Sequence, residues 1–502
     1  MSDFAELVDL TSERVGGVVL AANDEFFAPK ENLLKAGKPV FIEDKYTDRG
    51  KWMDGWETRR RREPGHDWAI LKLGLPGVVR GVVVDTAFFE GNYPARCSLE
   101  ACALDAGASP ETLLSSSTRW TELLPPTDLK GDTQNLFAIP SAHRVTHVRL
   151  NIFPDGGVAR LRVYGEVIPD WTGLAADAEV DLAAVESGGL LLGASDMFFG
   201  SRHNLILPGP AKKMGDGWET KRRRGPGHDW VIVQLGTEGV LHRVEVDTSH
   251  FKGNFPESCS LEGCQAGVAS LDALQAASWW ELLPRTKLQA DTRHVFEKEL
   301  QSATPVTHVR FNIFPDGGVA RLRLFGRVTP DGRRQAGLRR LNALTEPEAA
   351  AALQACCGSA NWTRRMLAQR SFASFERLRE AADKTWAEMG SEEWLEAFRA
   401  HPRIGEKSGE KQAAVARQWS EQEQAGTRGA SAKVLAELQE AGRAYEARFG
   451  YIFIVCATGK TTEEMLALLR QRLQNEPGKE LGIAAEEQRR IMQLRLEKLL
   501  NS

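Results

Sequence analysis

Arginine, histidine and carboxylate side chains are concentrated in two nearly identical stretches of the chain. Residues 53–68 read MDGWETRRRREPGHDW, and residues 215–230 read GDGWETKRRRGPGHDW. A guanidinium group pairs with a carboxylate through two parallel hydrogen bonds, and a histidine beside an aspartate can move a proton near neutral pH. Each stretch therefore predicts a site that binds a small anion and transfers a proton. The candidate residues are His66, Asp67, Arg61, His228, Asp229, Arg223, Glu219 and, from a later turn, Asn254.

The same residues also allow structural interpretations. The four arginines at 59–62 can form a solvated or phosphate-binding surface, but the interleaved aromatic residues of a single-strand binder are few. The Gly-His-Asp-Trp turn can serve only to fix a loop, with its histidine bonded to the backbone. Histidine and carboxylate side chains could also hold a divalent metal ion, although no ligand spacing requires one. We predict no nucleic-acid partner and leave the metal open.

Both stretches belong to an internal duplication that covers the first two thirds of the chain. VDTAFFEGNYPARCSLEAC at 84–102 matches VDTSHFKGNFPESCSLEGC at 246–264, and NIFPDGGVARLR occurs identically at 151–162 and 312–323. Apolar and polar residues alternate in HVRLNI, and Pro-Asp-Gly-Gly then marks a turn, which predicts a β-hairpin. Many short strands with Gly/Pro turns favour a sandwich or jelly roll in each copy. We predict these repeats at residues 1–170 and 171–332.

The pattern changes in the last third of the chain. Residues 333–344 are polar, basic and rich in turn-forming residues, which predicts a linker. From 345 to 502, apolar residues recur three and four positions apart, and Thr345 and Glu348 fit a capping box. The predicted fold class is two tandem all-β jelly-roll-like sandwiches followed by an all-α helical bundle.

Four features of the predicted bundle could do chemistry. His401 precedes Pro402 where a helix must end, which is a position open to a cleft. Residues 420–424 read SEQEQ, residues 449–457 form an apolar run, and Arg495 lies on a terminal amphipathic helix. Taken alone, these features equally fit a helix end, a helix cap, a core segment and a surface arginine.

The duplicated blocks DGWETRRRR-PGHDW, DT-x-x-F-x-GN-x-P and NIFPDGG-ARLR closely resemble allantoicase (allantoate amidinohydrolase). The resemblance covers residues 1 to about 330. It implies two sandwiches in tandem and the hydrolysis of allantoate to (S)-ureidoglycolate and urea. On this hypothesis, arginines of the repeated loops hold the substrate carboxylate. His66 or His228, with its adjacent aspartate, would move the proton needed to release urea.

The blocks HPRIGEK, WS-x-x-EQAG and FGYIFIVCATGK resemble OHCU (2-oxo-4-hydroxy-4-carboxy-5-ureidoimidazoline) decarboxylase, from about 340 to 502. The resemblance implies an all-α enzyme that forms (S)-allantoin and carbon dioxide without a cofactor. It makes His401 the catalytic proton donor, and it makes Glu423 and Arg495 the other catalytic residues. The implied substrate-binding residues are Pro402, Ser420, Glu421, Gln422, Gln424, Phe453, Ile454, Val455, Cys456 and Ala457. Ser371 stands where the family often has proline, a departure that affects a turn.

Composition argues against other classes of protein. A net charge of -4 over 502 residues offers no general attraction for nucleic acid or anionic membranes. No apolar run approaches the roughly 20 residues of a membrane helix, and the N-terminus lacks the pattern of a signal peptide. We therefore expect a cytoplasmic protein without a membrane partner. The seven cysteines are expected to be small core residues, not a disulfide framework.

The two implied activities flank the step that opens allantoin to allantoate. We therefore expect allantoinase as a functional partner, allantoate and OHCU as small-molecule ligands, and a homo-oligomer. Two alternatives remain open from the sequence. The sandwiches could be non-catalytic ligand-binding modules, and the helical domain could be an inactive scaffold.

Overall fold

A computed structural model describes residues 3–105, 107–267, 270–301, 303–403, 419 and 431–501. The chain divides into two compact units, Met1–Arg333 and Arg334–Ser502. The first unit is built from antiparallel strands and the second from helices, which confirms the predicted fold class. Across the described ranges, no helix is both long enough and apolar enough to cross a membrane.

Strands form most of the regular structure in the described residues of the first repeat. They are β1 (Val8–Asp9), β2 (Val18–Ala22), β3 (Tyr46–Thr47), β4 (Gly50–Lys51), β5 (Trp56–Glu57), β6 (Asp67–Asp85), β7 (Arg96–Cys102), β8 (Thr121–Asp128), β9 (Gln134–Ala138), β10 (Arg144–Phe153), β11 (Gly157–Val158) and β12 (Arg160–Val167). A short helix, α1 (Pro110–Leu114), lies between β7 and β8.

The long strand β6 joins the two layers of the first sandwich. Its first part pairs with β10 and β2, and its last part pairs with β12 and β9. Strands β7 and β8 continue the first layer beyond β10, while β1 continues the second beyond β12. Ala69 and Leu71 of β6 pack into the sandwich core, whereas Ile70 packs on the outer face with Leu113 of α1. The outer face of the first layer is therefore partly covered.

The second repeat has the same topology. Its strands are β13 (Val180–Asp181), β14 (Leu190–Ala194), β15 (Trp218–Glu219), β16 (Asp229–Asp247), β17 (Ser258–Cys264), β18 (Trp280–Lys287), β19 (Arg293–Phe296), β20 (Val306–Phe314), β21 (Gly318–Val319) and β22 (Arg321–Val328), with helix α2 (Leu271–Gln275) between β17 and β18. Strand β16 takes the place of β6, and β20 that of β10. Buried side chains of both repeats, such as Leu10 and Leu182, belong to one continuous apolar core.

The remaining helices of the described ranges begin at the end of the second repeat. They are α3 (Pro330–Ala343), α4 (Glu346–Cys357), α5 (Ala360–Ala368), α6 (Phe375–Ala387), α7 (Ser391–Arg399), α8 (Ala432–Phe449), α9 (Thr462–Arg472) and α10 (Pro477–Asn501). Helix α10 packs against α4, α6 and α7, and α9 packs against α8. The capping box predicted at Thr345 is present, because Glu348 accepts hydrogen bonds from the Thr345 N–H at 2.9 Å and from its hydroxyl at 2.6 Å.

The segment at 333–344, which we interpreted as a turn-forming linker, is instead helical as far as Ala343 and lies in α3 up to that residue. Leu338 and Leu341 are buried in the apolar core of the helical unit, three residues apart. Gly337, which suggested a turn, permits a close approach between helices, because a Cβ there would lie 2.0 Å from the Leu500 carbonyl oxygen. The glycine is therefore a packing requirement of this helix.

All seven cysteines are buried thiols. Cys97 and Cys259 occupy equivalent positions in the two sandwich cores and are 0% exposed. Burial raises the pKa of each of these two thiols to about 12, so both remain protonated at neutral pH. They act as small apolar residues, as the sequence predicted.

Candidate active sites

The three repeated sequence blocks meet at one end of each sandwich. In the first repeat, the Thr58 N–H donates to the Gly156 carbonyl at 3.1 Å, and the Gly157 N–H donates to the Asn92 carbonyl at 2.8 Å. The Asn92 amide in turn donates to Glu57 at 2.7 Å. The equivalent contacts of the second repeat join Thr220 to Gly317, and Asn254 to Gly318 and Glu219. Glu219 and Asn254 therefore lie together, within the loop cluster.

The repeated Arg–Asp pairs are internal ion pairs. Asp229 accepts from Arg223 Nη2 at 2.6 Å and from Ser195 Oγ at 2.9 Å, while the Arg223 N–H donates to Asp316 at 2.8 Å. In the first repeat, Asp67 accepts from Arg61 and Asn23, each at 2.7 Å. Both aspartates are 1% exposed. These arginines therefore close the loop onto the strand, and the role that we expected for them in holding the substrate carboxylate stays a prediction.

The arginines of the NIFPDGGVARLR block also have structural roles. Arg160 is 2% exposed and donates to the Asp54 carboxylate at 2.6 Å and to the Asp54 carbonyl at 2.7 Å. Its equivalent, Arg321, is 5% exposed and donates to the Asp216 carbonyl at 2.8 Å. Burial lowers the pKa of Arg321 to about 10. These side chains tie the hairpin to the DGWET segment.

The histidines of the repeated stretches do not pair with the adjacent aspartates. Successive side chains of an extended chain point in opposite directions, so Asp229 turns inward to Arg223 while His228 turns outward. The His228 ring packs against Phe314, with 4.6 Å between ring centroids and a tilt of 36° between the ring planes, and its Nε2 atom lies 3.2 Å from Asn312 Oδ1. His228 therefore bonds to Asn312, which folding brings beside it, and not to the adjacent aspartate that the sequence suggested.

A hydrogen-bonded chain continues from Asn312 across two strands. Asn312 Nδ2 donates to Glu262 at 2.9 Å, and Arg310 Nε donates to the same carboxylate at 2.7 Å. Burial raises the pKa of Glu262, but the hydrogen bonds from Arg310 and Asn312 outweigh it and lower the pKa below its ordinary value. Because Glu262 and Arg310 are paired in register on β17 and β20, their side chains share one face. The group can be called the His–Asn–Glu–Arg chain.

The His–Asn–Glu–Arg chain selects one tautomer of His228. A carboxylate only accepts hydrogen bonds, so the Asn312 amide must direct its NH₂ to Glu262 and its oxygen to the histidine. His228 Nε2 must then carry the proton that Asn312 Oδ1 accepts. In the neutral ring, the lone pair is consequently on Nδ1. Nδ1 of His228 is therefore the ring nitrogen that can act as a base, and the contact with Asn312 holds the ring in place.

The first repeat contains the same residue types but not the complete His–Asn–Glu–Arg chain. Asn151 donates to Glu100 at 2.9 Å, and Arg149 donates to Glu100 at 2.8 Å. The His66 ring packs against Phe153, with 4.8 Å between ring centroids and a tilt of 40° between the ring planes. Within the described part of the chain, however, the buried Asn151 Oδ1 has no hydrogen-bond partner, and His66 is exposed where His228 is half-buried. The second repeat thus holds the more complete site.

A guanidinium group lies over the phenylalanine beside each histidine, but from a different strand in each repeat. Arg285 of β18 lies 4.2 Å from the Phe314 centroid, and Arg96 of β7 lies 5.9 Å from that of Phe153. Pro126 of the first repeat is equivalent to Arg285, and Ser258 of the second repeat is equivalent to Arg96. Both repeats therefore keep a cation over the ring that the histidine contacts, which suits an anionic ligand. Arg285 also donates to Ser258 Oγ at 2.7 Å and to the exposed Glu257 at 3.1 Å. Our reading of the sequence missed this exchange, although it is visible when the two copies are compared position by position.

In the helical unit, His401 lies two residues beyond the end of α7. Its N–H donates to the Phe398 carbonyl at 3.1 Å, and its Nε2 atom is buried without a hydrogen-bond partner among residues that the structure describes. Burial, and secondarily the charge of Arg495, lower the pKa of His401 to about 3, while a hydrogen bond with the Gln488 side chain acts in the opposite direction. In this state the imidazole is neutral at pH 7.

Arg495 lies inside the helical unit and is 3% exposed. Its Nη1 atom donates to the Ala355 carbonyl at 3.4 Å. The surface position that a terminal amphipathic helix suggested is therefore wrong. Folding brings His401 and Arg495 close enough for one charge to act on the other, although 94 positions separate them in the sequence.

An extended segment forms one buried wall of this unit. All five predicted lining residues are buried: Phe453, Ile454, Val455, Cys456 and Ala457. The Cys456 N–H donates to Glu487 at 2.8 Å, and Arg472 donates to the Ile454 carbonyl at 2.8 Å. Arg472 is itself paired with the fully buried Glu480 at 2.7 Å. Helices α9 and α10 thus hold the backbone of the segment in place.

The remaining predicted residues divide into two groups. Pro402 is half-buried beside His401. Ser420, Glu421, Gln422, Glu423 and Gln424 lie outside the described residues. A cavity of about 370 Å³ lies next to Arg403 and Phe453, but neither His401 nor Arg495 lines it. No group of three or more His, Cys, Asp or Glu residues within the described ranges is arranged to hold a metal ion.

Comparisons with known proteins agree with this division of the chain. The allantoicase repeat family matches residues 8–168 and 180–329, and the OHCU decarboxylase family matches residues 342–497. A probable allantoicase 1 of Burkholderia mallei is 50% identical over 321 residues, which cover 64% of this chain and 94% of the relative. The allantoicase of Dictyostelium discoideum is 49% identical over 322 residues, covering 64% of this chain and 87% of the relative.

The fold of the first unit is also similar to a solved structure. The crystal structure of allantoicase from Saccharomyces cerevisiae aligns with a TM-score of 0.55 and 38% identity, covering 64% of this chain and 92% of that chain. The chain therefore belongs to the allantoicase family, and an OHCU decarboxylase domain follows its two allantoicase repeats.

Proposed function

We propose that this chain is a bifunctional enzyme of purine catabolism. Residues 8–329 hydrolyse allantoate to (S)-ureidoglycolate and urea, and residues 342–497 decarboxylate OHCU to (S)-allantoin. The two family matches support this pair of activities. The contact between His228 and Asn312 supports placing the hydrolytic site in the second repeat. Allantoinase, which converts allantoin to allantoate, is the proposed functional partner between the two steps.

In the hydrolytic step, His228 acts as the base. Its Nδ1 lone pair takes a proton from water, and the water oxygen bonds to the central carbon of allantoate. The bond from that carbon to one ureido nitrogen breaks, and this nitrogen receives the proton from the imidazolium as urea leaves. Arg285, which lies over the phenylalanine that His228 contacts, binds the substrate carboxylate in exchange for its exposed ion pair with Glu257. No step is assigned to a metal ion, because the chain of residues around His228 supplies the proton transfers.

Release of urea from allantoate by the purified chain tests this proposal. We expect His228→Ala to reduce turnover by about 100-fold or more, the usual contribution of a general base. His66→Ala is the matched control and should keep most of the activity. An equal loss in both variants would contradict a single site in the second repeat, and full activity in both would remove histidine from the mechanism.

Two further arms of the same assay test the alternatives. Loss of wild-type activity on adding a chelator, restored by a divalent cation, would contradict the metal-free step. Absence of urea release from the wild-type chain, with tight binding of allantoate, would instead support non-catalytic ligand-binding modules. The decarboxylase activity of the same preparation serves as the control for an intact protein.

In the decarboxylation step, the substrate supplies its own electron sink. Loss of carbon dioxide leaves an electron pair next to the C=N and C=O groups of the ring, so we propose that no cofactor is required. Arg495 binds the anionic edge of OHCU, and His401 delivers one proton to one face of the carbanion. A substrate anion beside Arg495 offsets the cation that lowers the pKa of His401, which favours the protonated imidazole.

The hydrolytic activity of the same polypeptide serves as the control for the decarboxylase. We expect His401→Ala to lose the stereoselective formation of (S)-allantoin, measured as enantiomeric excess, while urea release from allantoate is unchanged. His228→Ala should show the reverse pattern. Wild-type rate and stereoselectivity in His401→Ala would refute the role of the imidazole.

We also propose a cytoplasmic location and a homo-oligomer. The buried thiols of all seven cysteines support a reducing compartment. Light scattering on the purified chain tests the oligomeric state, and a mass equal to one chain would contradict it.

A further inference from the structure

The first repeat contains an insertion that the second repeat lacks. It has nineteen residues at 35–53 where the second repeat has nine at 207–215. The extra residues include β3 and β4, which pair with each other in a two-stranded hairpin and, within the described structure, join no larger sheet. Every residue from 40 to 51 is exposed. A two-stranded hairpin alone in water is only marginally stable, so other contacts must hold this one.

Aromatic rings and cations attach the hairpin to the first repeat. Lys51 Nζ lies 4.5 Å from the centroid of the Phe41 ring, and this ring stacks on Phe88 with 5.6 Å between centroids. The Arg49 guanidinium lies 5.2 Å from the centroid of Phe26 and donates to the Phe26 carbonyl at 3.0 Å. The insertion therefore has a defined place on the sandwich.

These contacts leave a large apolar surface in water. Of the fifteen large apolar side chains that are exposed among the described residues, seven lie at this hairpin, and Tyr46 is 67% exposed. We call this group the hairpin surface, and it consists of Phe26, Phe27, residues 40–42, Tyr46 and Phe88. Exposed apolar groups with a polar rim mark protein–protein contacts, and aromatic residues and arginine are enriched in such contacts. The hairpin surface has both properties.

The backbone of Phe88 gives a second indication that this surface has a function. Its φ of 69° lies in the left-handed region, which a bulky side chain rarely adopts. The Phe88 N–H donates to Asp132 at 2.8 Å, which holds the residue there. In the second repeat, His250 has the same conformation with a φ of 72°, but its Nε2 atom lies 3.0 Å from the Ala211 carbonyl oxygen. Strained positions persist where they serve a function, and in the first repeat the ring supports Phe41.

The charges of the hairpin indicate what covers it. Residues 40–52 contain three acidic and three basic side chains, which are Glu43, Asp44, Asp48, Lys45, Arg49 and Lys51. None of the six forms an ion pair with a described residue. A second copy, turned about a twofold axis, presents the same charges in reverse order, so that opposite signs can face each other. A partner with charges of one sign would leave half of these side chains unpaired.

We propose that the hairpin surface is the contact between two copies of this chain, related by a twofold axis. The proposal rests on the homo-oligomer proposed above and names the surface that forms it. In such a contact the same residues meet on both sides. The apolar side chains of 40–42 and Tyr46 of each copy pack together, and the six charges pair around them. The hairpin, which is marginal by itself, is then stabilised from both faces.

Substitution of Tyr46 by glutamate tests this contact, because it buries one charge from each copy in an apolar interface. We expect Tyr46→Glu to raise the dissociation constant of self-association by about 30-fold, measured by light scattering over a dilution series of the full chain. Phe198→Glu is the matched control. Phe198 is 70% exposed and contacts Phe199 edge to face, as Phe26 contacts Phe27, but its repeat lacks the hairpin. The control should leave the constant unchanged.

The outcomes separate the hairpin surface from the homo-oligomer itself. Ile42→Glu is a second hairpin variant and should reproduce the effect, so it gives the answer if Tyr46→Glu fails to fold. A wild-type chain that self-associates, with the same constant in both hairpin variants, would overturn the contact and leave the homo-oligomer standing. Equal weakening by Phe198→Glu would also overturn it. A wild-type mass of one chain at every concentration would refute the homo-oligomer and this contact together, while the two reactions are tested independently with their own substrates.

Discussion

The Nε2 atom of His228 lies 3.2 Å from Asn312 Oδ1, whereas the equivalent Oδ1 of Asn151 has no hydrogen-bond partner among the described residues. Both asparagines donate to a glutamate on the neighbouring strand at 2.9 Å. The duplication therefore preserved the residues of the site in both copies, and a single contact distinguishes them. This contact orients one histidine and not the other.

Substitution of Asn312 should disrupt hydrolysis, because the amide fixes the tautomer of His228. We expect Asn312→Leu to reduce the kcat for urea release by about 100-fold, the scale of a general-base contribution. Asn151→Leu is the matched control and should have a small effect. Equal effects of the two substitutions, measured in the same urea assay, would show that the contact does not distinguish the repeats.

Removal of the buried aspartate of the second ion pair should destabilise the sandwich. Asp229 accepts from Arg223 at 2.6 Å and is 1% exposed, so Asp229→Asn leaves a guanidinium group without its counter-charge. Because the Arg223 side chain is partly exposed, we expect a loss of about 2 kcal/mol in the free energy of unfolding, measured with guanidinium chloride. Lys221→Ala removes a neighbouring exposed ion pair to Asp196 and should cost less than about 1 kcal/mol. Similar losses in the two variants would contradict the structural role.

The stability of the first unit should fall in mild acid because of His308. Burial lowers the pKa of this histidine to about 4 from an ordinary 6.5, and the side chain is 3% exposed. Below pH 6.5 the unfolded chain binds a proton that the folded chain refuses until the pH reaches about 4. This group therefore contributes most above pH 6.5, and at most about 3 kcal/mol is lost as the pH falls through that interval.

His308→Gln provides the test of this pH dependence. Thermal unfolding followed between pH 7 and pH 4 should depend less steeply on pH in the variant than in the wild type. The equivalent His147, whose pKa is lowered by burial and by Lys72, acts in the same direction and preserves part of the dependence. An identical slope in the variant and the wild type would contradict the assignment to His308.

Removal of the charge of Arg495 should raise the pKa of His401. Burial and this cation together lower the pKa to about 3. In Arg495→Met the effect of the cation is lost, and burial acts against the hydrogen bond with Gln488 alone. We expect the imidazole to titrate at a higher pH in NMR spectra, with its signal assigned by comparison with His401→Ala. Arg490→Met removes an exposed arginine of the same helix that is paired with Glu486 and Glu487. A pKa unchanged by Arg495→Met would contradict the proximity of the two charges.

Periodicity and repetition were sufficient to predict the architecture. Alternation in HVRLNI places Val148, Leu150 and Ile152 in the sandwich core, where each is 0% exposed. The segment at 333–344 was predicted wrongly because Gly337 and the basic residues around it are typical of turns. Its helix is stabilised by distant contacts, such as the packing of Leu338 and Leu341 in the helical core. Local composition contains no information on that packing.

The hydrolytic site was only partly predictable. His228 stood out because its motif is polar, long and repeated, but the sequence suggested Asp229 as its partner. Adjacent residues of an extended chain diverge, so proximity in sequence was the wrong guide. The partners Asn312, Glu262 and Arg310 come from two strands whose register only the sheet defines. Aligning the two copies also shows that Arg96 and Arg285 stand at different positions of the repeat. Only the structure shows that both lie over equivalent phenylalanine rings.

The sequence by itself determined the number of repeats, the change from strands to helices, and the side chains able to transfer protons. These properties depend on local periodicity and residue type, which a linear reading preserves. Only the tertiary structure decided that Arg223 closes a loop, that Asn312 orients His228, and that Arg495 is buried inside the helical unit. Each of these roles depends on distances between atoms that the chain brings together from positions far apart, and hydrogen bonds act only over a few ångströms.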